Sequence, residues 1–333
     1  MKKSCVAITD YLQDDLGPEL GILGPGADVV ALNAHHEDEL KGQVENVEAL
    51  IVYHTFRITE ATLGRLSRCR VIARAGVGYD NLDIESARRH DIPVANVPDY
   101  GTEEVADTAL GLLLSLTRAI SSLNLGLLEN RLDWDRGELP EVRRLRGRTL
   151  GIVGLGRIGT AMALRAKILG LRVIYYDPYK PHGYDKSLGI ERVDSLDQLL
   201  NRSFVLSVHC PLTGETRKML NGAALQKLPR GAFLINTARG GVVENTVIPG
   251  LISTGQLSGA GLDVLETEPP PEHHPLIRAW KDPHHPAHHR IIINPHRAFY
   301  CDEGILEIRE KSARTCLAAL LGNPIPNVVN GVP

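Results

Sequence analysis

Three stretches of this chain place chemically capable side chains just past short β-rich runs. Asn236-Thr-Ala-Arg239-Gly-Gly closes one run, Asp263-Val-Leu-Glu-Thr-Glu268-Pro a second, and Asn294-Pro-His296 a third. Ligands of open α/β sheets bind at the carboxyl ends of the strands, so Arg239, Glu268 and His296 are expected to converge on one crevice. Arginine's planar fork matches a carboxylate with two parallel hydrogen bonds. Histidine titrates near neutrality and can give or take a proton. A carboxylate beside it stabilises the imidazolium and orients the ring. Such a trio meets the needs of hydride addition to a 2-keto acid: a cation for the carboxylate, a donor for the carbonyl and an acid for the new hydroxyl. Each residue alone is commonplace in its setting; their succession at consecutive strand ends argues for chemistry.

A second signal lies upstream. Gly154-Leu-Gly156-Arg157-Ile158-Gly159 sits between the run Leu150–Val153 and a helical stretch, Ala161–Leu169, that Gly170 stops. A glycine fingerprint is informative in that strand–turn–helix context. Gly154 allows the tight turn, Gly156 lets the backbone approach a pyrophosphate, and Gly159 lets helix and strand pack closely. Free amides at the helix start suit phosphates. The next strand ends at Asp177. A carboxylate there can accept hydrogen bonds from the adenine-ribose hydroxyls and repels a 2′-phosphate, which favours NAD over NADP. Lys180 close by leaves room for some NADP tolerance.

The elements that must hold these residues alternate strand and helix, the signature of parallel-sheet α/β folds. Candidate strands are Cys5–Ile8, Asp28–Ala31, Ala49–Val52, Arg70–Ala73 and Pro93–Asn96, with amphipathic stretches Glu60–Leu66 and Ile84–His90 between them. A second series runs Thr149–Val153, Leu171–Tyr176, Phe204–Val208, Ala232–Asn236, Gly259–Leu262 and Arg290–Ile293. One long helix is expected from Thr102, with Glu103 and Glu104 on the positive end of its dipole. Its apolar run Ala109–Leu116 points to burial between domains or subunits. A last helix runs from about Asp302 to Leu321, before Gly322 and Pro324. The segment Pro269–His289, rich in proline and holding six histidines, reads as a loop over the mouth of the site. Its His-His pairs could take up zinc or nickel adventitiously, but a loop offers no fixed supporting partners, and no metal site is expected.

Length and charge set the bounds. The chain has 333 residues, which at about 100–200 residues per domain suggests two domains. Its net charge of −3 argues against nucleic acid as a partner. No apolar run reaches the roughly 20 residues of a membrane helix, and Cys5–Ile8 is too short for a signal peptide. Five scattered cysteines make no disulfide framework and point to a reducing cytoplasm.

Arg74-Ala-Gly-Val-Gly-Tyr-Asp-Asn, the glycine fingerprint, His209-Cys-Pro-Leu-Thr, Asn236-Thr-Ala-Arg-Gly-Gly and Asp263-Val resemble the D-isomer-specific 2-hydroxyacid dehydrogenase family over nearly the whole chain. Tyr53-His54-Thr55, Arg74, Glu103-Glu-Val-Ala-Asp107 and the aromatic Phe299 look most like its C-terminal-binding-protein branch. The resemblance implies two doubly wound parallel-sheet domains. A Rossmann cofactor domain, 102–299, is inserted into a discontinuous flavodoxin-like substrate domain, 1–101 and 300–333. It implies a homodimer built through the cofactor domains, and NADH-dependent reduction of a small 2-keto acid to a D-2-hydroxy acid. The alternative is a non-catalytic NADH-sensing dimeric scaffold like the co-repressors of that branch; the complete Arg-Glu-His set favours the enzyme.

Residue by residue, the resemblance makes Arg239 the binder and polariser of the keto acid, His296 the acid/base and Glu268 its partner. Asp263 would hold the nicotinamide carboxamide. Cys210, Pro211, Thr213 and Ala238 would line the cofactor, and Thr108 would touch the pyrophosphate. The Val77 and Gly78 amides would receive the substrate carboxylate, a nest-type anion site. Tyr53, His54 and Phe299 would shape the substrate pocket. Phe299 stands where that branch has tryptophan, Arg57 where it has an apolar residue and Arg297 where it has a small one. Arg57 or Arg297, with Arg74, could read a second anion on the substrate.

Overall fold

The structure, a computed structural model, describes residues 3–132, 134 and 142–332. The chain divides into two compact units, Met1–Gly101 with Tyr300–Pro333, and Thr102–Phe299. Both are parallel-sheet α/β units.

The first unit carries five strands, β1 (Ser4–Ile8), β2 (Ala27–Ala31), β3 (Ala49–Val52), β4 (Ile72–Arg74) and β5 (Val94–Asn96). They lie in the order β2-β1-β3-β4-β5, all parallel. The central β3, Ala-Leu-Ile-Val, is buried throughout, as a strand covered on both faces requires. Strand order reverses between β1 and β3. The helix Asp302–Leu320 packs on the helix Gly17–Leu23 and on β3 and β4. It brings Arg309 to Glu19, with Nε–Oε1 and Nη2–Oε2 at 2.8 and 2.7 Å, and to Asp14 at 2.8 Å. Glu19 and Arg309 are buried. Burial works against the Arg309 charge, but its two carboxylate partners outweigh it and raise the pKa. The Arg309 hydrogen bond holds the Asp14 carboxyl below its usual range.

The second unit holds β6 (Thr149–Val153), β7 (Arg172–Tyr176), β8 (Glu191–Arg192), β9 (Val205–Val208), β10 (Ala232–Asn236), β11 (Leu257–Leu262) and β12 (Ile291–Ile293). Their order is β12-β11-β10-β9-β6-β7-β8, again parallel. Here the order reverses between β6 and β9, and the glycine fingerprint follows β6. The helix Thr102–Thr117 lies against β10, β11 and the helix Arg157–Ile168. Ala106, Ala109, Leu112 and Leu113 pack into the core of this unit.

The long helix expected from Thr102 is present, and one other segment differs from expectation. The helix from Thr102 stops at Thr117, because Ala119 turns into the left-handed region at φ 56°. A second helix, Ile120–Leu128, leaves at 61°. Among the described residues no single helix is long and apolar enough to cross a membrane. The proline- and histidine-rich segment is not all loop, since Pro275–Lys281 forms a helix with Leu276, Ile277 and Ala279 buried. His274 caps it, Nδ1 accepting from the Leu276 amide at 3.2 Å, and Pro275 takes the first position, where no amide donor is missed. His288 and His289 stand edge to face at 4.2 Å. No group of three or more candidate metal ligands converges among the described residues.

Candidate active site

The turn after β6 is built for close approach. Gly154 sits at φ 86°, and a Cβ there would lie 2.8 Å from the Cys210 backbone at the end of β9. A Cβ on Gly159 would overlap the Gly154 carbonyl, so only glycine lets the helix Arg157–Ile168 start this near the strand. Gly156 and Arg157 are exposed, and nothing lies within 4 Å of a Cβ built on Gly156. That open cradle before a helix start fits a pyrophosphate. Asp177 is joined to the same turn: Oδ2 accepts from the Leu155 amide at 2.9 Å and Oδ1 from Tyr179 at 3.0 Å. Lys180 is turned away from that task, its Nζ lying 4.7 Å over the Tyr184 ring.

The segment after β9 forms the facing wall. Burial pushes the Cys210 thiol up to about 12, so it stands there as a neutral side chain. Pro211 and Thr213 are exposed in a tight turn, in which Thr216 Oγ1 donates to the Pro211 carbonyl at 2.6 Å and accepts from the Thr213 amide at 2.8 Å. His209, one residue earlier, has Nε2 against Ser207 Oγ at 2.8 Å and Nδ1 enclosed. Burial lowers its pKa to about 4, which leaves the ring neutral.

The remaining machinery comes from the ends of β10, β11 and β12, three neighbours in the sheet. Asn236 shapes the first end: its Oδ1 accepts from the Ala238 amide and its Nδ2 donates to the Arg239 carbonyl, both at 3.0 Å. Arg239 Nη1 donates to the Ala238 carbonyl at 2.8 Å. Gly240 then runs so near the next strand end that any Cβ on it would overlap the Leu265 carbonyl group. On that end Glu268 faces two ways, Oε1 accepting from the Leu265 amide at 2.7 Å and Oε2 meeting His296 Nδ1 at 2.7 Å. Burial alone would raise the Glu268 pKa. The hydrogen bond and charge of His296, with the Leu265 amide and Arg239, outweigh it and hold the carboxyl below its usual range.

Asp263 holds the third end. Its carbonyl accepts from the His296 amide at 2.8 Å, and Oδ1 accepts from the Arg297 and Ala298 amides at 2.9 and 3.0 Å. It is 2% exposed, and burial raises its pKa against the pull of those amides. Backbone carbonyl and carboxylate of Asp263 together pin the 296–298 turn, with His296 at φ 55°. Thr108 Oγ1 donates to the Ala298 carbonyl at 3.2 Å, which places it on this turn. Ala238, Ile158 and Phe299 keep part of their surface, and Arg297 is exposed.

The other predicted residues belong to the first unit. Tyr53 is 2% exposed, His54 half-buried and Arg57 exposed. Arg74 is buried, its Nη1 donating to the Ala75 carbonyl and its Nε to Asn81 Oδ1 at 3.2 Å. Those bonds tie its guanidinium to its own turn, at whose outer end Val77 is exposed and Gly78 half-buried. Sequence reasoning missed the supports: Asn236, Gly240, the Leu265 amide and the turn-pinning role of Asp263. Their signal was the polar residue closing each strand and the glycine after Arg239.

The chain shares its sequence and fold with known proteins. The model of the D-isomer specific 2-hydroxyacid dehydrogenase NAD binding domain matches residues 110–298. A D-3-phosphoglycerate dehydrogenase of Methanocaldococcus jannaschii is 32% identical over 98% of this chain, which spans 59% of that relative's length. A glyoxylate reductase of Korarchaeum cryptofilum is 35% identical over 86% of this chain and 84% of its own. The crystal structure of a D-lactate dehydrogenase from Aquifex aeolicus, complexed with NAD and lactic acid, superposes with a TM-score of 0.87 at 27% identity, covering 98% of this chain and 99% of that one.

Proposed function

From the premise that this chain belongs to the D-isomer-specific 2-hydroxyacid dehydrogenase family, we propose that it reduces a small 2-keto acid to a D-2-hydroxy acid. The observation that carries the reading is the His296–Glu268 pair at 2.7 Å, beside Arg239 on the neighbouring strand end.

The glycine turn, Asp177 and the wall Cys210, Pro211, Thr213 and Ala238 hold NAD(H), with Asp177 favouring NAD over NADP. When bound in its reduced form, the nicotinamide supplies the hydride. Arg239 binds the substrate carboxylate and polarises the carbonyl. Its fork does both better than a lysine point charge. His296 delivers the proton that completes the hydroxyl. Glu268, ionised, stabilises the imidazolium before transfer and fixes which nitrogen faces Glu268. Asp263 keeps the imidazole in place through the 296–298 turn.

A homodimer is part of the same proposal. It is supported by the exposed apolar face of Ile120–Leu128, on which Ile120, Leu125, Leu127 and Leu128 are 57%, 40%, 38% and 71% exposed. The five cysteines are free, in keeping with a reducing cytoplasm.

The test is NADH oxidation against glyoxylate, hydroxypyruvate, phenylpyruvate and oxaloacetate, with NADPH as control. Turnover of at least one acid with NADH is expected. Tight NADH binding with no turnover of any would replace this reading with that of an NADH-sensing scaffold.

A further inference from the structure

We propose that Tyr179 and Glu215 are cofactor-binding residues that close the adenosine end of the dinucleotide cleft: the Tyr179 ring takes the face of the adenine, and the bond between the two side chains holds that ring over the base. The inference rests on the cofactor half of the reading above and not on the choice of substrate. All the residues it uses belong to the second unit.

The sheet places β6 between β7 and β9. The glycine turn leaves β6, Asp177 follows β7, and the Pro211–Thr216 turn comes after β9. Tyr179 Oη donates to Glu215 Oε2 at 2.6 Å. That bond joins the segments on either side of β6, and so it spans the end of the strand from which the pyrophosphate cradle starts. A carboxylate at the end of the next strand takes the adenine-ribose hydroxyls in folds of this kind, and Asp177 stands there. The base carried by that ribose then falls to the residues around Asp177. Tyr179, two positions on, offers it an open ring, 78% exposed.

Both ends of the bridge are anchored. The Tyr179 amide donates to Asp177 Oδ1 at 3.0 Å, which ties the residue carrying the ring to the ribose-binding carboxylate. Glu215 sits inside the turn that Thr216 closes, with the Thr216 amide donating to Thr213 Oγ1 at 3.3 Å and its hydroxyl to the Pro211 carbonyl at 2.6 Å. The hydrogen bond and charge of Glu215 raise the Tyr179 pKa, so the phenol keeps its proton and remains the donor. An exposed hydrogen bond of this kind only replaces bonds to water and stabilises the free protein little. The ring adds nothing to the core either, since most of its surface faces solvent. A flat ligand changes both terms: a base laid on the ring gains stacking and burial, and it shields the bond behind it from water.

Fluorescence titrations with NADH and with reduced nicotinamide mononucleotide, which lacks the adenosine half, test this in wild type, Tyr179→Ala, Tyr179→Phe and Glu215→Ala. In Tyr179→Ala the Kd for NADH should rise about tenfold, the effect of one lost base stack. Tyr179→Phe keeps the ring and Glu215→Ala keeps the phenol. Each should raise that Kd about threefold, and the two combined no further than either alone, because they remove the same bond. The mononucleotide should bind wild type and variants alike. An NADH Kd unmoved in Tyr179→Ala overturns the role of the ring, and one unmoved in both other variants overturns that of the bridge. Equal losses for NADH and the mononucleotide overturn both, since the damage then lies in the turns and not at the base. No NADH binding by wild type removes the cofactor reading and this inference with it, whereas a failure to turn over any keto acid removes neither.

Discussion

His296 lies between two acidic residues that hold it in different ways. Glu268 meets its Nδ1, and Asp263 grips its turn through three amides, those of residues 296, 297 and 298. Glu268 is held below the usual carboxylate range, so it stays ionised at pH values where a free glutamate begins to protonate. In the proposed mechanism reduction needs the charged pair, and its acid limb should follow Glu268 down. Keto-acid reduction should therefore not decline between about pH 7 and about pH 5. A decline in that window that Glu268→Gln leaves in place would show that another group sets the limb. His296→Gln should cut kcat by about 10²–10⁴ while fluorescence titration finds NADH binding intact. Arg239→Lys should raise KM and lower kcat together, because a fork is replaced by a point charge. The trio was legible because each member follows a β-rich run. The stack of Tyr11 on Tyr53 was not, because only the pairing of β1 with β3 brings the two rings together, and strand neighbours are not written in the order of residues.

At the scale of elements, the site is a row of strand ends in register. Gly240 shows how close the fit is, since a Cβ on it would overlap the Leu265 carbonyl group. Gly240→Ala must push the end of β10 from the end of β11, and so Arg239 from Glu268. The expected result is a loss of kcat/KM of about 10²-fold, since misplacement of this kind costs that much, with circular dichroism little changed. Full activity in the variant would mean that the two ends need not touch. The strands were readable from their apolar runs, and the glycine fingerprint from its place between strand and helix. The helix Pro275–Lys281 was hidden by composition. Prolines and histidines around it read as loop, although Pro275 with a capping residue before it is a helix start. The break at Ala119 left no sequence signal, because alanine in the left-handed region is dictated by its surroundings.

Over the whole molecule, buried titratable groups make the fold sensitive to acid. His209 stays neutral to about 4, whereas in an unfolded chain it protonates near 6.5. Between those values the unfolded state binds more protons, so stability is complete above the upper one and is lost as pH falls toward the lower. Asp14, its pKa lowered by Arg309, adds to the loss once pH drops below the ordinary carboxylate range. Its share by about pH 5, from that shift, is on the order of 2 kcal/mol. Thermal midpoints should fall between about pH 7 and about pH 5, and His209→Gln should flatten part of that fall. Parallel slopes for the two proteins would assign the sensitivity elsewhere.

The path of the chain through its first unit has a further consequence. β1 to β5 are complete by Asn96, yet the helix that covers β3 and β4 and neutralises Glu19 begins only at Asp302. On the ribosome, at about 5–20 residues per second, those strands emerge long before their cover does. For that interval the nascent unit holds a bare apolar sheet face and an acid with no counterion, while the intervening unit already has all it needs to close. The order of birth is thus reversed in the order of completion: the segment made first is finished last.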